Sequence, residues 1–354
     1  MMMARVIAMV LVVVGAASPA AAQEPHGVVL LYHHASADTP PSTSVTPERF
    51  EAHLDYLEAH DYRVWPVDRL LAAVIGGEEA VPANVVAITF DDAYESVYTQ
   101  ARPMLRERGW PFAVFVNTDA IDAGHSPYMS WDQLRDLHAE GVLIGNHSAS
   151  HAHLIAREEG ESREAWKQRV AADLERAGRR IDEAIGVQPD IFAYPYGEDS
   201  AELAGLVGDD HAFGLAQRSG AVGPGTDPLS VPRFPMASGF DGMDRFELAV
   251  RTRPLPVVEA EPEPPGDGVR GPLRSLRLAL EDGTYRAAQL ACYSAGGERL
   301  QASFEEGPPH RVDIRVDGRG STGRNKINCT APASDGSGDY FWYAFQWVQD
   351  AVRD

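Results

Sequence analysis

The sequence predicts an α/β domain built on a largely parallel sheet, open or closed into a barrel, followed by a small β-sandwich-like domain. Three observations carry this. Short apolar runs alternate with amphipathic helical patterns through roughly the first 250 residues. A Pro- and Glu-rich stretch, PLPVVEAEPEPPGDG at 254–268, then breaks the alternation. Beyond it the apolar residues fall at every second position between Gly-rich turns, and both cysteines of the chain lie there.

Each element has its own signal. Val28-Val29-Leu30-Leu31-Tyr32 is a continuous apolar run ending at His33-His34, the pattern of a strand buried on both faces. Thr46-Pro47-Glu48 supplies an N-cap and a proline at the first helical position, and Phe50, Leu54 and Leu57 follow at helical spacing. A short strand over 62–67 leads into a helix around 67–75. Val85 to Phe90 is a second buried strand, closed by Asp91-Asp92. Then come a helix over 96–108, a strand over 112–116, a helix opened by Ser130-Trp131-Asp132, and a strand over 143–145. A long charged helix covers 163–185, and a strand over 191–194 runs into Pro195-Tyr196-Gly197. Residues 254–268 lack any amphipathic period and read as a semi-rigid linker. After them, Leu276-Leu278-Leu280 and Val312-Ile314-Val316 alternate as strands do, and Tyr340 to Trp347 is densely aromatic. Core packing of the small sandwich is the main use expected for those rings, with a sugar-stacking surface as the alternative.

Composition bounds the function. Of 354 residues, 31 are Lys or Arg and 52 are Asp or Glu, a formal charge of −21. That balance argues against a nucleic-acid partner and against adsorption to anionic lipid. It suits neutral or cationic substrates, or a salty habitat. Residues 1–22 have the form of a signal peptide: Arg5, the apolar run Val6 to Val14, and Ala20-Ala21-Ala22 before a cleavage point at Gln23. An uncleaved anchor is the alternative. No later stretch is long and apolar enough to span a bilayer, so the mature chain is expected to be exported, periplasmic or extracellular, with no membrane anchor. In an oxidising compartment Cys292 and Cys329 read as a disulfide rather than a metal site; two free buried thiols are the other reading.

Four polar clusters lie just beyond the ends of expected strands, where parallel α/β folds build their active sites. In Thr89-Phe90-Asp91-Asp92, adjacent carboxylates diverge, so one can ligate a metal while the other stays free as a base; a helix N-cap pair is the plainer reading. In Asn146-His147-Ser148-Ala149-Ser150-His151, histidines at i and i+4 meet on one face if the segment is helical, the spacing at which two imidazoles share a metal. A solvated polar turn is the alternative. With Asp92 they make a two-His-one-carboxylate set that leaves coordination positions open. Phe192-Ala193-Tyr194-Pro195-Tyr196-Gly197 can aim a backbone N–H into a site, or can simply be a tight turn. A histidine in Leu31-Tyr32-His33-His34 can donate a proton to a leaving group, although a lone histidine is commonly structural.

Jointly and in this order, TFDD (89–92), HSASH (147–151) and AYPYG (193–197) resemble the polysaccharide deacetylases of carbohydrate esterase family 4, the NodB homology domain. The resemblance covers roughly residues 26–250. LLYHH followed by SVTPERFEAHLDYLEAHDYRVWPVDRLL is similar to the subgroup of exported poly-β-1,6-N-acetylglucosamine N-deacetylases of biofilms, in which the family's final Leu-x-His motif sits at the N-terminus. The resemblance implies a distorted (β/α) barrel over residues 23–253; the small β-rich domain over 269–354 rests on the strand alternation beyond the linker. It implies Asp91 as catalytic base, Asp92, His147 and His151 as metal ligands, the Tyr196 N–H as an oxyanion donor, and His33 as catalytic acid. It implies Zn²⁺, or Co²⁺ or Ni²⁺ in its place, and an N-acetylated polysaccharide substrate. Alternatives are a deacetylase of peptidoglycan or chitin oligosaccharides, an O-acetyl esterase of xylan, and a non-catalytic glycan-binding protein. One departure stands out: the family usually has Arg where this chain has Ala193. Arg233, in Val231-Pro232-Arg233-Phe234, is a candidate substitute that could hold Asp91 by a charge-assisted bond; a surface ion pair is its other reading.

Overall fold

The structure, a computed structural model, describes residues 24–264, 272–318 and 320–349. Residues 1–22, expected to be a signal peptide, lie outside the described residues.

Eight strands form one parallel sheet: β1 (Val28–Tyr32), β2 (Arg63–Val64), β3 (Val85–Phe90), β4 (Ala113–Val116), β5 (Leu143–Asn146), β6 (Ile191–Ala193), β7 (Phe213–Leu215) and β8 (Phe234–Pro235). Their order is β8-β1-β3-β4-β5-β6-β7, with β2 also paired to β3. The sheet curls, and a parallel bridge between Leu215 and Val231 links β7 to the segment entering β8. This is an incompletely closed, distorted (β/α) barrel.

Strand alternation explains its two cores. Val28, Leu30 and Tyr32 of β1 and Val86, Ile88 and Phe90 of β3 pack with Phe50, Leu54 and Leu57 of helix α1 (Pro47–Ala59). Their neighbours Val29, Val85 and Ala87 face the other way, onto Phe115, Leu215 and helix α2 (Val67–Ile75). Thr46 caps α1 through its side chain to the Arg49 N–H. Gly145 is required where β5 passes β4, since a Cβ there would meet the Phe115 ring at 2.3 Å. The helix expected over 96–108 forms in two parts, a wide turn at Val97–Ala101 and then α3 (Arg102–Glu107). Pro103 accounts for the break, because it has no N–H for a continuous ladder. Helices α4 (Thr118–Asp122), α5 (Trp131–Ala139), α6 (Arg163–Ile185), α7 (Ala201–Val207) and α8 (Met243–Val250) complete the outer layer.

The second region packs two four-stranded sheets face to face. One runs β9 (Arg253–Pro254), β16 (Tyr340–Gln349), β15 (Gly323–Pro332), β12 (Ala291–Ser294); the other runs β10 (Val257–Glu263), β11 (Ser275–Leu280), β14 (His310–Arg315), β13 (Gln301–Glu305). Leu276, Leu278, Leu280, Val312, Ile314, Ile327 and Trp347 fill the space between. Cys292 and Cys329 lie opposite each other on β12 and β15 and are joined by a disulfide. The structure corrects one expectation here: within 254–268, residues 257–263 are not a linker but the strand β10, paired antiparallel with β11. Its position at the sheet edge tolerates Pro262, which has no N–H to give to a ladder. The aromatic run divides its work. Phe341 and Trp347 enter the sandwich core, while Trp342 packs edge-on against Phe234 of the barrel, ring centres 5.6 Å apart.

Candidate active site

The polar clusters converge at the C-terminal ends of the parallel strands. Asp91 and Asp92 follow β3, His33 follows β1, His147 and His151 follow β5, and Tyr196 follows β6. Parallel strands end on one rim, so residues far apart in sequence meet there.

Asp91 and Asp92 diverge because Asp92 adopts a left-handed backbone, φ 71°. Asp91 meets Arg233: Nη1 and Nη2 each donate to a carboxylate oxygen at 2.7 Å. The pair is buried, with Arg233 fully enclosed. The rest of the guanidinium is also engaged, Nε donating to the Ala216 carbonyl at 3.0 Å and Nη1 to Thr89 Oγ1 at 3.3 Å. Burial pushes the Asp91 carboxyl up, but Arg233 and the neighbouring His147 outweigh it and hold the group below its ordinary value. Asp91 is therefore an oriented, ionised carboxylate.

Asp92 turns the other way, with Oδ1 at 3.4 Å from His147 Nε2 and 3.1 Å from His151 Nε2. One donor atom from each of the three residues lies within 4.8 Å of the others. The helical spacing expected for the two histidines is not how they meet. Residues 147–151 form a loop in which Ser148 (φ 65°) and His151 (φ 53°) are left-handed, and this bend closes the rings to 4.9 Å between centres.

Three features fit this trio to a divalent cation. Asp92 Oδ1 is buried with no hydrogen-bond partner: the two imidazoles are near, but neither contact has hydrogen-bond geometry. His147 Nδ1–H donates to the Ala193 carbonyl at 2.7 Å, which leaves the Nε2 lone pair free. The donors are two nitrogens and one oxygen, a set that Zn²⁺, Co²⁺ and Ni²⁺ accept. Electrostatics agree. Burial raises Asp92, yet the two imidazoles pull it well below the usual carboxylate range; burial lowers His147, yet Asp91 and Asp92 pull it up. The trio thus favours positive charge shared among its members.

His33 is pushed below its ordinary value, chiefly by burial, although Asp91 and Asp92 act on it in the opposite sense. His34 is separated from it by stacking on Tyr94, ring centres 3.5 Å apart, and burial with His33 nearby pushes it down to about 4. Tyr196 is left-handed, φ 58°, and the residue is 43% exposed. Its ring stacks on His153 at 3.9 Å and meets His151 edge-on at 4.7 Å. His153 is in turn paired with Glu198, Nδ1 to Oε2 at 2.9 Å. The Tyr94–Tyr128 pair and the His153–Glu198 pair had no signal of their own in the sequence. Only their proximity to the recognisable motifs could have suggested them.

Known proteins share both sequence and shape with this chain. Residues 78–209 match the family model "Polysaccharide deacetylase". A poly-beta-1,6-N-acetyl-D-glucosamine N-deacetylase of Staphylococcus aureus (strain MRSA252) is 23% identical over 217 residues, 59% of this chain and 71% of that protein. Among solved structures, the Streptococcus pyogenes deacetylase PplD in complex with acetate superposes with a TM-score of 0.57 at 18% identity, covering 64% of this chain and 99% of that one. IcaB from Ammonifex degensii superposes with a TM-score of 0.55 at 24% identity, covering 64% and 97%. At these identities the superpositions establish the shared fold.

Proposed function

We propose that this chain is a polysaccharide deacetylase, a hydrolytic enzyme acting on N-acetylated polysaccharide, and within that class a metal-dependent N-deacetylase of N-acetylglucosamine polymers, poly-β-1,6-N-acetylglucosamine foremost. The observation that carries the reading is the meeting of two sets of groups on one rim. Asp92, His147 and His151 gather metal donors beside Asp91, a buried carboxylate held by Arg233. The named activity of the Staphylococcus aureus relative supports the choice of polymer.

Asp92 Oδ1 and the Nε2 atoms of His147 and His151 would hold the ion. A divalent cation there supplies Lewis-acid polarisation of the acetyl carbonyl and acidifies the attacking water. Asp91 takes a proton from the water as its oxygen bonds to the carbonyl carbon. Arg233 keeps that carboxylate ionised and aimed. The Tyr196 N–H donates to the oxygen on which negative charge develops. His33 protonates the amine nitrogen as the C–N bond breaks, because an amide nitrogen leaves poorly without a proton. The products are acetate and a glucosamine unit. We assign the reaction to residues 23–253 and the remainder to the β-rich domain. The signal-like residues 1–22 and the Cys292–Cys329 disulfide support an exported chain.

The deciding experiment is release of free amine from poly-β-1,6-N-acetylglucosamine, chitooligosaccharides and peptidoglycan, and of acetate from acetylated xylan, each with and without chelator. Preferred, chelator-sensitive release from the first substrate is expected. Release from none of them by metal-loaded protein would sink the N-deacetylase reading, and a clear preference for another substrate would replace the polymer.

A further inference from the structure

The turn that carries Tyr196 is held from the second domain. Arg324 on β15 donates through Nη1 to the Tyr196 carbonyl and, at 2.6 Å, to Gln217 Oε1. Gln346 on β16 donates through Nε2 to the Gly197 carbonyl at 2.6 Å and to Asp199 Oδ1 at 2.9 Å. Lys326 Nζ donates to the Gln217 carbonyl. Two consecutive carbonyls of the turn are therefore held by side chains 128 and 149 positions further along the chain.

The turn needs holding. Tyr196 has φ 58° and ψ 4°, a conformation that non-glycine residues keep only where the surroundings over-determine it. Gly197 follows with φ 66°, and a Cβ there would lie 2.0 Å from the Gln217 Cβ. Turn and Gln217 are thus in close contact, and Arg324 touches both. Fixing the Tyr196 and Gly197 carbonyls restricts ψ of Tyr196 and the torsions of Gly197. That in turn limits how far the Tyr196 N–H, two bonds upstream of its carbonyl carbon, can swing.

We propose that Arg324 and Gln346 are positioning residues for deacetylation, and that the β-domain is part of the catalytic unit: its β15–β16 pair braces the Tyr196–Gly197 turn. The proposal rests on the reading of the Tyr196 N–H as the oxyanion donor. It gives the second domain a task in the chemical step rather than in glycan capture. An oxyanion donor that drifts costs turnover while leaving ground-state binding largely intact.

The test uses the full chain with Arg324→Ala, Gln346→Ala and Asp335→Asn. The last removes the charge that Arg253, the first residue of β9, meets at 2.6 Å where the chain passes from the barrel into the second domain, near the Tyr340 end of β16 and away from the turn. On an N-acetylglucosamine oligomer, Arg324→Ala and Gln346→Ala should each lower kcat by about 10- to 100-fold, with KM changed less than about twofold. Amide hydrogen exchange over 194–199 should speed up in both, and Asp335→Asn should change neither. Wild-type kcat and unchanged exchange in Arg324→Ala would overturn the brace. An equal loss of kcat in Asp335→Asn would also overturn it, since the effect would then be general domain docking. If Arg324→Ala does not fold, Gln346→Ala decides on the same readouts. If the wild type deacetylates no substrate, the functional reading fails by itself; exchange over 194–199 then decides the brace alone, faster exchange in the variants supporting it and unchanged exchange overturning it.

Discussion

Replacing Arg233 with Met leaves the volume nearly filled and removes the charge. Asp91 then remains as a buried carboxylate, its side chain 4% exposed, without the two 2.7 Å bonds that compensate its desolvation. Breaking one side of a buried ion pair costs about 3–5 kcal/mol. For a domain of this size, roughly 2–4 °C of Tm accompanies each kcal/mol, so thermal unfolding at pH 7 should fall by about 10 °C. The Asp91 carboxyl should also rise, because burial loses its main opponent. Adding Asp91→Asn removes the stranded charge. The double variant should recover part of the loss, giving a coupling energy of about 2–3 kcal/mol in the cycle. Arg233→Lys should recover less than its charge suggests, since an ammonium cannot form the paired bonds of the guanidinium fork. The assay is calorimetric or circular-dichroism melting of the four proteins of the Asp91/Arg233 cycle. A Tm for Arg233→Met within about 2 °C of wild type, or strictly additive single effects, would refute the argument that this pair is tightly coupled.

Other expectations follow from the same geometry. Asp91→Asn should retain metal and lose at least about 100-fold in kcat; turnover near wild type would remove Asp91 as the base. Asp92→Ala should weaken zinc binding by well over tenfold in calorimetric titration, and unaltered affinity would place the ion elsewhere. His53, which accepts from Tyr32 OH at Nδ1 and donates from Nε2 to the Asp241 carbonyl at 2.8 Å, is pushed by burial from 6.5 down to about 4. Below its unfolded value the unfolded chain binds a proton that the folded one refuses, so its contribution is complete above about pH 6.5 and is lost as pH falls toward 4. At pH 5 the loss is about 2 kcal/mol, and a His53→Phe variant should show a flatter stability profile between pH 7 and 5. An identical profile would mean that His53 is not held neutral. Finally, Cys292 and Cys329, 37 positions apart, close a loop whose opening by Cys292→Ala with Cys329→Ala should cost about 3–4 kcal/mol; an unchanged melting curve would contradict this.

The proposed chemistry places its demands on very different length scales, and that governs what could be read in advance. The proposed metal-ligand pair His147 and His151 lies within one short segment, so its residue types are visible at once. Its geometry is less so. A helical i, i+4 face and a left-handed loop can bring the same two imidazoles together, and the bend at Ser148 and His151 is a backbone choice that their spacing does not announce. Arg233 was legible as a candidate because the usual arginine position holds Ala193. Its partnership with Asp91 depends on β8 closing against β1, across 142 positions.

By itself the sequence determined what depends on local order. Hydrophobic period set the alternation of strands and helices, and chain polarity put Asp91, Asp92, His147 and Tyr196 just past the strands that end beside them. The Thr46 cap is a local signal of the same kind, and the chain's two cysteines allow a single pairing within it. Tertiary structure alone decided what depends on contacts between distant segments. Residues 257–263 became a strand because β11 offered them an edge, although their own pattern has no strong period. Arg324 and Gln346 are unremarkable residues on β15 and β16 until domain packing brings them against the Tyr196 turn. Periodicity is a property of neighbours in sequence, whereas a hydrogen bond across more than a hundred residues exists only once the intervening chain has folded.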